Sequence, residues 1–218
     1  NQLIDKGAIF QTDMDTENII HLIAKSQKDS LVDRIKDMLT KIEGAYCLAI
    51  QSRSKMFVIR DRFGIRPLSL GRFKEGGYIV ASETCAFELV GAEFIRDVKP
   101  GEMLIFEEGK EPISEQVFEA DFHPCAFEYI YFARPDSIID GKNVYQMRLE
   151  MGRKLAQEVP AEVDLVLPVP DSGVAAARGY AEGLGVPFEM GIVRNHYVGR
   201  TFIEPTQEIR DLKVKLKL

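Results

Sequence analysis

The most constraining feature of the chain is a strand-helix-strand pattern over residues 163–202. An apolar run, VDLVLPV, ends in the turn PDSG; a helical segment and a second apolar run, VPFEMGIV, follow, and the stretch ends with the loop RNHYVGRTF. This pattern predicts one βαβ unit, whose loops lie beyond the carboxyl ends of parallel strands, where open α/β sheets bind ligands. We therefore expect the turn and the loop to form a ligand site.

The turn and the loop carry side chains suited to an anion. Asp171 and Ser172 open the predicted helix, where free N–H groups and a hydroxyl favour a phosphate or a hydrated metal ion. The alternative is that Asp171 or Ser172 only caps the helix. The loop adds cations and aromatic side chains that can bind an anion and exclude water: Arg194, His196, Tyr197, Arg200 and Phe202. Together the segments favour an anion site, and a solvated basic loop is the alternative.

The charge balance limits which partners are expected. Lys and Arg number 28 against 34 Asp and Glu, a net charge of -6, so general binding of nucleic acid is not expected. No apolar run approaches the roughly 20 residues of a membrane span, and the first residues do not resemble a signal peptide. Cys47, Cys85 and Cys125 form no CxxC pair. We predict a cytoplasmic protein with reduced thiols.

Before residue 119, the pattern predicts an α+β arrangement. Residues 8–12 (AIFQT) are typical of a short strand, and Asp15 precedes the helix TENIIHLIAKS as its N-cap. Apolar residues between Leu31 and Ile42 recur at helical spacing and predict a second helix, which Gly44 ends. Short apolar runs separated by turn residues then predict an antiparallel meander: AYCLAI, MFVIRD, PLSLGRF, YIVASE and EMLIFEEG.

From residue 119 onward, strands and helices alternate. FEYIYFARPDS is typical of an apolar strand. The next segment is helical, and its predicted apolar face consists of Val144, Met147, Met151, Leu155 and Val159. The βαβ unit follows, so the change of pattern predicts two domains, residues 1–118 and 119–218. The last residues, KVKLKL, alternate like an exposed strand.

Several segments resemble one family. FEYIYFARPDS, PVPDSG and RNHYVGRTFI resemble the glutamine phosphoribosylpyrophosphate amidotransferases, and GAIFQTDMDTE, RDRFGIRPL, ASE and VKPGE resemble the glutaminase domain of the same family. The resemblance implies a fold class that combines α/β and α+β. It implies a partial N-terminal-nucleophile α/β/β/α glutaminase domain at 1–118, followed by the first part of a type I phosphoribosyltransferase fold at 119–218.

The resemblance also implies an activity. Ammonia from glutamine would displace pyrophosphate from phosphoribosyl pyrophosphate, with Mg²⁺ present, and give 5-phosphoribosylamine, glutamate and pyrophosphate in the first step of de novo purine synthesis. It further implies feedback by purine nucleotides and a homotetramer. One alternative is another glutamine-dependent amidotransferase, against which FARPDS and YVGRTFI argue. The other is a non-catalytic paralogue that keeps the fold.

The family's site residues have counterparts at a few positions. Asp15 matches the aspartate that binds the α-amino group of glutamine, although helix capping is an equally good role. Ser172 matches the residue assigned to magnesium. The phosphoribosyl pyrophosphate and ammonia-channel side would include Asp171, Arg194, Tyr197 and Arg200. Cys125 takes the position of a [4Fe-4S] ligand in one branch of the family, but members without a cluster also have cysteine here, so the resemblance leaves the cluster open.

Some family features are missing from the chain. It begins with Asn1 and not with the family's nucleophilic cysteine, none of its three cysteines lies near this end, and the DDS-x-x-R-G-T-T loop that binds phosphate is absent. We expect the chain as given to correspond to the middle of such an enzyme and to hydrolyse no glutamine. Cys47 is predicted to lie in the core and Cys85 to be a partly buried structural thiol. The charged run Arg60, Asp61 and Arg62 is expected to form a structural network.

Overall fold

A computed structural model describes residues 2–5, 7–199 and 203–218 of the chain. The chain divides into two compact units, and each contains two stretches of sequence. The first unit comprises Asn1–Ile65 and Lys99–His123, and the second comprises Arg66–Val98 and Pro124–Leu218. The predicted domains at 1–118 and 119–218 stay a prediction.

The described residues contain strands, α-helices and one π-helix. The strands are β1 (Cys47–Gln51), β2 (Lys55–Arg60), β3 (Ser69–Phe73), β4 (Tyr78–Ala81), β5 (Ala92–Asp97), β6 (Glu102–Glu107), β7 (Ile113–Gln116), β8 (Ile138–Ile139) and β9 (Lys142–Asn143). The α-helices are α1 (Gln2–Asp5), α2 (Thr16–Lys25), α3 (Leu31–Leu39), α4 (Cys85–Leu89), α5 (Val144–Glu158), α6 (Val174–Leu184) and α7 (Gln207–Lys217), and the π-helix spans Glu128–Phe132. Within the described part of the chain, no helix has the length and apolar character that crossing a membrane requires.

The core of the first unit lies between α3 and a four-stranded sheet. The sheet has the order β1-β2-β6-β7, and all neighbouring strands are antiparallel. Side chains from α3, β2 and β6 form one buried cluster: Ile35, Met38, Leu39, Phe57, Ile59, Met103 and Ile105. Burial of each large apolar side chain stabilises the fold by about 1.5–3 kcal/mol, so this cluster is the main support of the unit. Ser30 begins α3, because its hydroxyl accepts the N–H of Asp33.

The second unit contains a three-stranded antiparallel sheet, a helix pair and a short hairpin. The sheet has the order β4-β3-β5, and β8 pairs with β9. Asn143 begins α5 by accepting the N–H of Gln146 at 3.1 Å. Gly185 ends α6 with a φ of 72°, a left-handed conformation that glycine adopts without steric cost.

The segment at 8–12 does not form the predicted strand. Its polar backbone groups bind a carboxylate instead, since Glu17 accepts the N–H groups of Gln11 at 2.8 Å and Thr12 at 2.9 Å. The Thr12 hydroxyl also donates to Glu17 at 2.6 Å. These hydrogen bonds, that of the Thr12 hydroxyl most of all, lower the pKa of Glu17 to about 2.

The predicted meander is divided between the sheets of the two units. The runs that form β1, β2 and β6 belong to one sheet, and those that form β3 and β4 belong to the other. The pattern did not indicate β5, α4 or β7, and the sequence ISEQ of β7 has one apolar residue. The second helix ends at Leu39, before the predicted end at Gly44, and the N–H of Thr40 bonds to the carbonyl of Lys36.

The predicted strand in FEYIYFARPDS is wrong, because this segment forms the π-helix. The N–H of Ala133 donates to the carbonyl of Glu128 at 3.0 Å. Arg148 of α5 is buried and donates to the carbonyls of Tyr129 at 2.5 Å and Ala133 at 2.8 Å. A guanidinium group from a later helix thus satisfies backbone acceptors that this short helix leaves open.

The last residues form a helix and not the predicted exposed strand. α7 begins after Thr206, whose hydroxyl accepts the N–H of Ile209 at 3.3 Å. Lys215 and Lys217 lie in its last turn, where positive charge interacts favourably with the helix dipole. The cap and the charge distribution therefore favour a helix over the alternating pattern of KVKLKL.

Candidate functional site

The predicted anion-binding turn lies at the start of α6. Gly173 precedes the helix, and the carbonyl of Asp171 accepts the N–H of Val174 at 3.3 Å. The side chains of Asp171 and Ser172 are exposed, and among the described residues neither accepts an N–H group of α6. The alternative role as helix caps is therefore not realised, and a carboxylate and a hydroxyl remain accessible to a ligand.

An ion pair joins this turn to the basic loop. The Nη1 atom of Arg194 donates to Oδ2 of Asp171. The side chains are 31% and 55% exposed, respectively. Nε of Arg194 is buried and has no hydrogen-bond partner among the described atoms. The structure thus brings together two predicted site residues, and the guanidinium group keeps a donor for another acceptor.

Asn195 anchors the loop on α7. Its N–H donates to the carbonyl of Lys217 at 2.7 Å, and its Nδ2 donates to the carbonyl of Leu216 at 3.2 Å. Its Oδ1 also accepts the N–H of Tyr197 at 3.0 Å. Asn195 therefore satisfies carbonyls at the helix end that have no partner inside α7. A cap contributed by a distant segment leaves no local pattern, which is why the sequence did not reveal it.

Two other predicted loop residues are not seen in their expected roles. The side chain of Tyr197 is 100% exposed and covers no other group of the described residues, so its predicted role stays a prediction. Arg200 lies outside the described residues, as does Phe202. Lys217 contributes a cation that the sequence pattern did not single out, since its Nζ donates to the carbonyl of Gly199 at 3.2 Å.

A closely packed helix pair supports the turn. A Cβ atom on Gly152 of α5 would lie 2.0 Å from the carbonyl oxygen of Ala176, and one on Gly179 of α6 would lie 2.0 Å from that of Leu149. Only glycine permits such an approach. The predicted apolar face of α5 is partly wrong, because Leu155 is 50% exposed. Val159 is 61% exposed. Leu155 and Val159 both lie outside the contact between α5 and α6, which small residues fill.

The strand before the turn is shorter and more exposed than predicted. One parallel bridge pairs Val166 with Phe188, so the predicted parallel direction is confirmed. Its bonds run from Val166 N–H to the Pro187 carbonyl at 3.0 Å and from Glu189 N–H to the Val166 carbonyl at 3.1 Å. The prediction of a buried strand is wrong, because Leu165, Leu167 and Val169 are 41%, 44% and 63% exposed.

Asp15, the predicted glutamine-binding residue, precedes α2 but does not cap it. Its side chain accepts no capping hydrogen bond, and its carbonyl accepts Nδ2 of Asn18 at 3.0 Å. The predicted capping role is therefore wrong. The carboxylate is exposed and can receive a ligand's ammonium group, so binding of glutamine stays a prediction.

The predicted structural network in RDRFGIRPL is confirmed. Arg60 is 2% exposed and donates to the carbonyl of Gly64 at 3.0 Å. Asp61 is fully buried and accepts backbone N–H groups from Phe63 at 2.9 Å, Tyr46 at 3.3 Å and Ile65 at 3.4 Å. These bonds hold the loop after β2 in shape.

Glu83 connects two stretches of the second unit. Its Oε2 accepts the N–H of Arg134 at 2.8 Å and the hydroxyl of Ser137 at 2.7 Å. The neighbouring Thr84 hydroxyl accepts the N–H of Ile138 at 2.8 Å. The resemblance segments ASE and FARPDS therefore meet in this unit, a contact that no local pattern could indicate.

The cysteines differ in how far they follow the predictions. Cys85 is partly buried and accepts the Ser137 hydroxyl at 3.2 Å, as expected of a structural thiol. Cys47 is exposed and the prediction that it lies in the core is wrong, because Leu48 and Ile50 occupy the core side of β1. Cys125 is partly exposed.

The described residues fit one of the two predicted cofactors. Among the described residues, no three His, Cys, Asp or Glu side chains lie together as a metal site. Cys125 supplies one thiolate, so these residues do not fit a [4Fe-4S] cluster, which requires four ligands. The oxygens of Asp171 and Ser172 do fit Mg²⁺, which prefers a few protein oxygens and keeps several waters.

The first 88 residues of the chain match a known domain. The model of the glutamine amidotransferase domain family matches residues 1–88. Over almost the whole chain, the amidophosphoribosyltransferase of Rhizobium etli is 49% identical, covering 99% of this chain and 44% of the relative. The amidophosphoribosyltransferase of Bacillus subtilis is 48% identical, covering 100% of this chain and 45% of the relative. The chain thus spans a little under half the length of these relatives.

Solved structures agree with this relationship. The glutamine phosphoribosylpyrophosphate amidotransferase of B. subtilis, complexed with ADP and GMP, has a TM-score of 0.88 at 48% identity and covers 97% of this chain and 46% of its own. A structure described as the allosteric regulatory enzyme of purine biosynthesis has a TM-score of 0.89 at 48% identity. The predicted fold class is therefore confirmed.

Sequence and fold together relate residues 1–88 to the glutamine amidotransferase domain, and almost the whole chain has the mixed α/β fold of the solved relatives. Over almost its whole length, the chain is similar to the amidophosphoribosyltransferases, of which it spans a little under half.

Proposed function

We propose that the protein transfers the amide nitrogen of glutamine to phosphoribosyl pyrophosphate and so forms 5-phosphoribosylamine, glutamate and pyrophosphate. This is the first step of de novo purine synthesis. The observation that carries the proposal is the agreement of sequence and fold over nearly the whole chain, 48% identity with a TM-score of 0.88 to a glutamine phosphoribosylpyrophosphate amidotransferase.

The second half of the reaction would take place at the turn before α6. The ammonia nitrogen bonds to C1 of the ribose while the bond between C1 and the pyrophosphate oxygen breaks, and the nitrogen then loses a proton. Asp171 and Ser172 would hold Mg²⁺, whose charge offsets that of the pyrophosphate leaving group. Arg194 would bind the same leaving group, because its side chain already lies at the turn.

Two further loop residues belong to this proposal. Arg200 would add a second cation and Tyr197 would contact the phosphoribosyl side or the ammonia path. The side chain of Tyr197 is fully exposed and is therefore accessible to a ligand. Cys125 would serve a cluster only with three further thiolates.

The first half of the reaction would use Asp15. Its exposed carboxylate would bind the α-amino group of glutamine by a charge-assisted hydrogen bond. Purine nucleotides would inhibit the enzyme, a proposal supported by the ADP and GMP bound to the B. subtilis relative. We also propose a homotetramer as the assembled form, and the cytoplasmic location stays a prediction.

A comparison of two nitrogen donors in the full-length protein tests these assignments, since the chain as given is not expected to hydrolyse glutamine. Asp15→Asn should raise KM for glutamine by about tenfold or more, the loss expected for one charge-assisted bond. It should leave the reaction with ammonia unchanged, because ammonia bypasses the glutamine site. Ser172→Ala should reduce both reactions, and Asp13→Asn, at an exposed neighbouring aspartate, should affect neither. An equal effect of Asp15→Asn on both donors would contradict the assignment.

A further inference from the structure

The pairing of Asp171 with Arg194 has consequences beyond the assignment of each residue. While the two groups are paired, the guanidinium charge beside Asp171 opposes the approach of a metal ion, and the carboxylate charge beside Arg194 opposes the approach of a phosphate. Both groups proposed to bind ligand are therefore engaged with each other in this structure.

The surroundings show that the pair can exchange partners. Asp171 is 55% exposed, so a hydrated cation can reach its carboxylate. Arg194 is 31% exposed, and its buried Nε has no hydrogen-bond partner among the described atoms. The guanidinium group is thus incompletely satisfied by Asp171 alone, and an anion with several oxygens would provide more acceptors.

The backbone next to Arg194 is held in place by hydrogen bonds. The next residue, Asn195, is bound through both its backbone and its side chain to the end of α7. Asp171 lies at the start of α6, which packs against α5 through glycines. A change of partner can therefore be made by the two side chains while their backbones stay in place.

We propose that Asp171 and Arg194 form a latch that couples the binding of a divalent cation to that of a diphosphate. Either ligand alone must break the ion pair and leave one charged side chain without a partner. When both bind, the cation takes Asp171 and the diphosphate takes Arg194, so each side chain gains a new partner. The inference rests on the proposed function, and it makes the two ligands mutually dependent.

A double-mutant cycle with inorganic pyrophosphate tests the latch. By calorimetry in EDTA, Asp171→Asn should tighten the binding of metal-free pyrophosphate by about two- to fivefold, the range for breaking one partly exposed ion pair. In the Arg194→Gln background, the same change should give no gain, because no guanidinium group is left to release. An equal gain in both backgrounds would mean that Asp171 only repels the anion, and the latch would be rejected.

The same double-mutant cycle is then measured with Mg²⁺ as the only ligand. Arg194→Gln should tighten Mg²⁺ binding by a similar factor, and this gain should vanish when Asp171 is also replaced. Asp164→Asn, at an exposed aspartate upstream, should alter neither ligand. Arg194→Lys keeps the charge but not the planar group, so its affinities should lie between those of the parent and Arg194→Gln.

The outcomes separate the latch from the proposed function. If the parent protein binds pyrophosphate or phosphoribosyl pyrophosphate with Mg²⁺ but the cycle shows no coupling, the latch alone is wrong. If the parent protein binds neither compound in the presence of Mg²⁺, the proposed function fails, and the latch fails with it.

Discussion

Asp61 is the residue on which the loop after β2 most depends. Its two carboxylate oxygens accept backbone N–H groups on both sides of the loop, and the side chain is fully buried. A buried N–H group without an acceptor costs about 1–3 kcal/mol. The role of this residue is therefore structural, and its effect should appear in stability.

We expect Asp61→Ala to lower the free energy of unfolding by about 3 kcal/mol or more, because several donors lose their acceptor. Asp61→Asn keeps one carbonyl oxygen as an acceptor, so it should lower the free energy of unfolding by about half as much. Urea unfolding followed by circular dichroism measures both. Equal stability of the parent and Asp61→Ala would show that the loop does not need these bonds.

Glu128 makes the stability of the second unit depend on pH. Burial raises the pKa of Glu128, the Arg66 charge opposes this effect and Glu83 adds to it. Oε1 lies 2.9 Å from Nε of Arg66. Because the folded state holds the proton more tightly than the unfolded chain, the ionised carboxylate reduces stability at neutral pH. This cost disappears as the pH falls through the raised pKa and below the ordinary value of 4.5.

Glu128→Gln should therefore raise the free energy of unfolding at pH 7, with a gain that shrinks toward pH 4.5. Urea unfolding across this pH range measures the difference. The exposed Glu88→Gln is the control and should show little change at any pH. A loss of stability in Glu128→Gln at pH 7 would show that its ion pair with Arg66 outweighs the cost of burial.

At the scale of single residues, local sequence patterns predicted some structural roles and missed others. The network of Arg60 and Asp61 was predictable, because its partners lie close in sequence. The roles of Glu83 and Arg148 were not, since their bonds reach residues far along the chain. At the site, the pattern indicated both Asp171 and Arg194 as ligand-binding residues but could not indicate that they bind each other.

At the scale of elements, hydrophobic periodicity was reliable where one face of an element is buried. α3 and β2 follow it, because both contribute alternate or spaced apolar residues to one core. It failed at the π-helix, where a run of apolar residues fits a strand and a short helix equally well. It also failed on α5, because glycine and alanine, not large side chains, form the contact with α6.

The glycine contact predicts a graded response on α6. Gly179→Ala should lower the free energy of unfolding by about 1–3 kcal/mol, because its methyl group would meet the Leu149 carbonyl at 2.0 Å. Gly183→Ala should lower the free energy of unfolding by less, since its methyl group would meet the Cβ atom of Ala156 at 2.7 Å. Thermal unfolding compares the two. The opposite order would place the closest helix contact elsewhere.

At the scale of the whole molecule, the chain alternates between the two units. Residues 66–98 lie in the second unit although the segments on both sides belong to the first. Such an arrangement cannot be seen in a pattern that changes once, near residue 119, and it depends on long-range bonds such as those of Glu83. The family resemblance indicated the fold class more directly than periodicity did, because it rests on whole segments and not on local preferences.

The most direct test of the proposed function is the formation of 5-phosphoribosylamine by the purified full-length protein, since the chain as given is not expected to hydrolyse glutamine. Phosphoribosyl pyrophosphate and Mg²⁺ are supplied first with glutamine and then with ammonia, and the amine product and pyrophosphate are measured together. We predict both products in equal amounts with ammonia as donor, and glutamate in the same amount when glutamine is the donor. Formation of neither product with either donor would contradict the proposed activity and favour a non-catalytic paralogue.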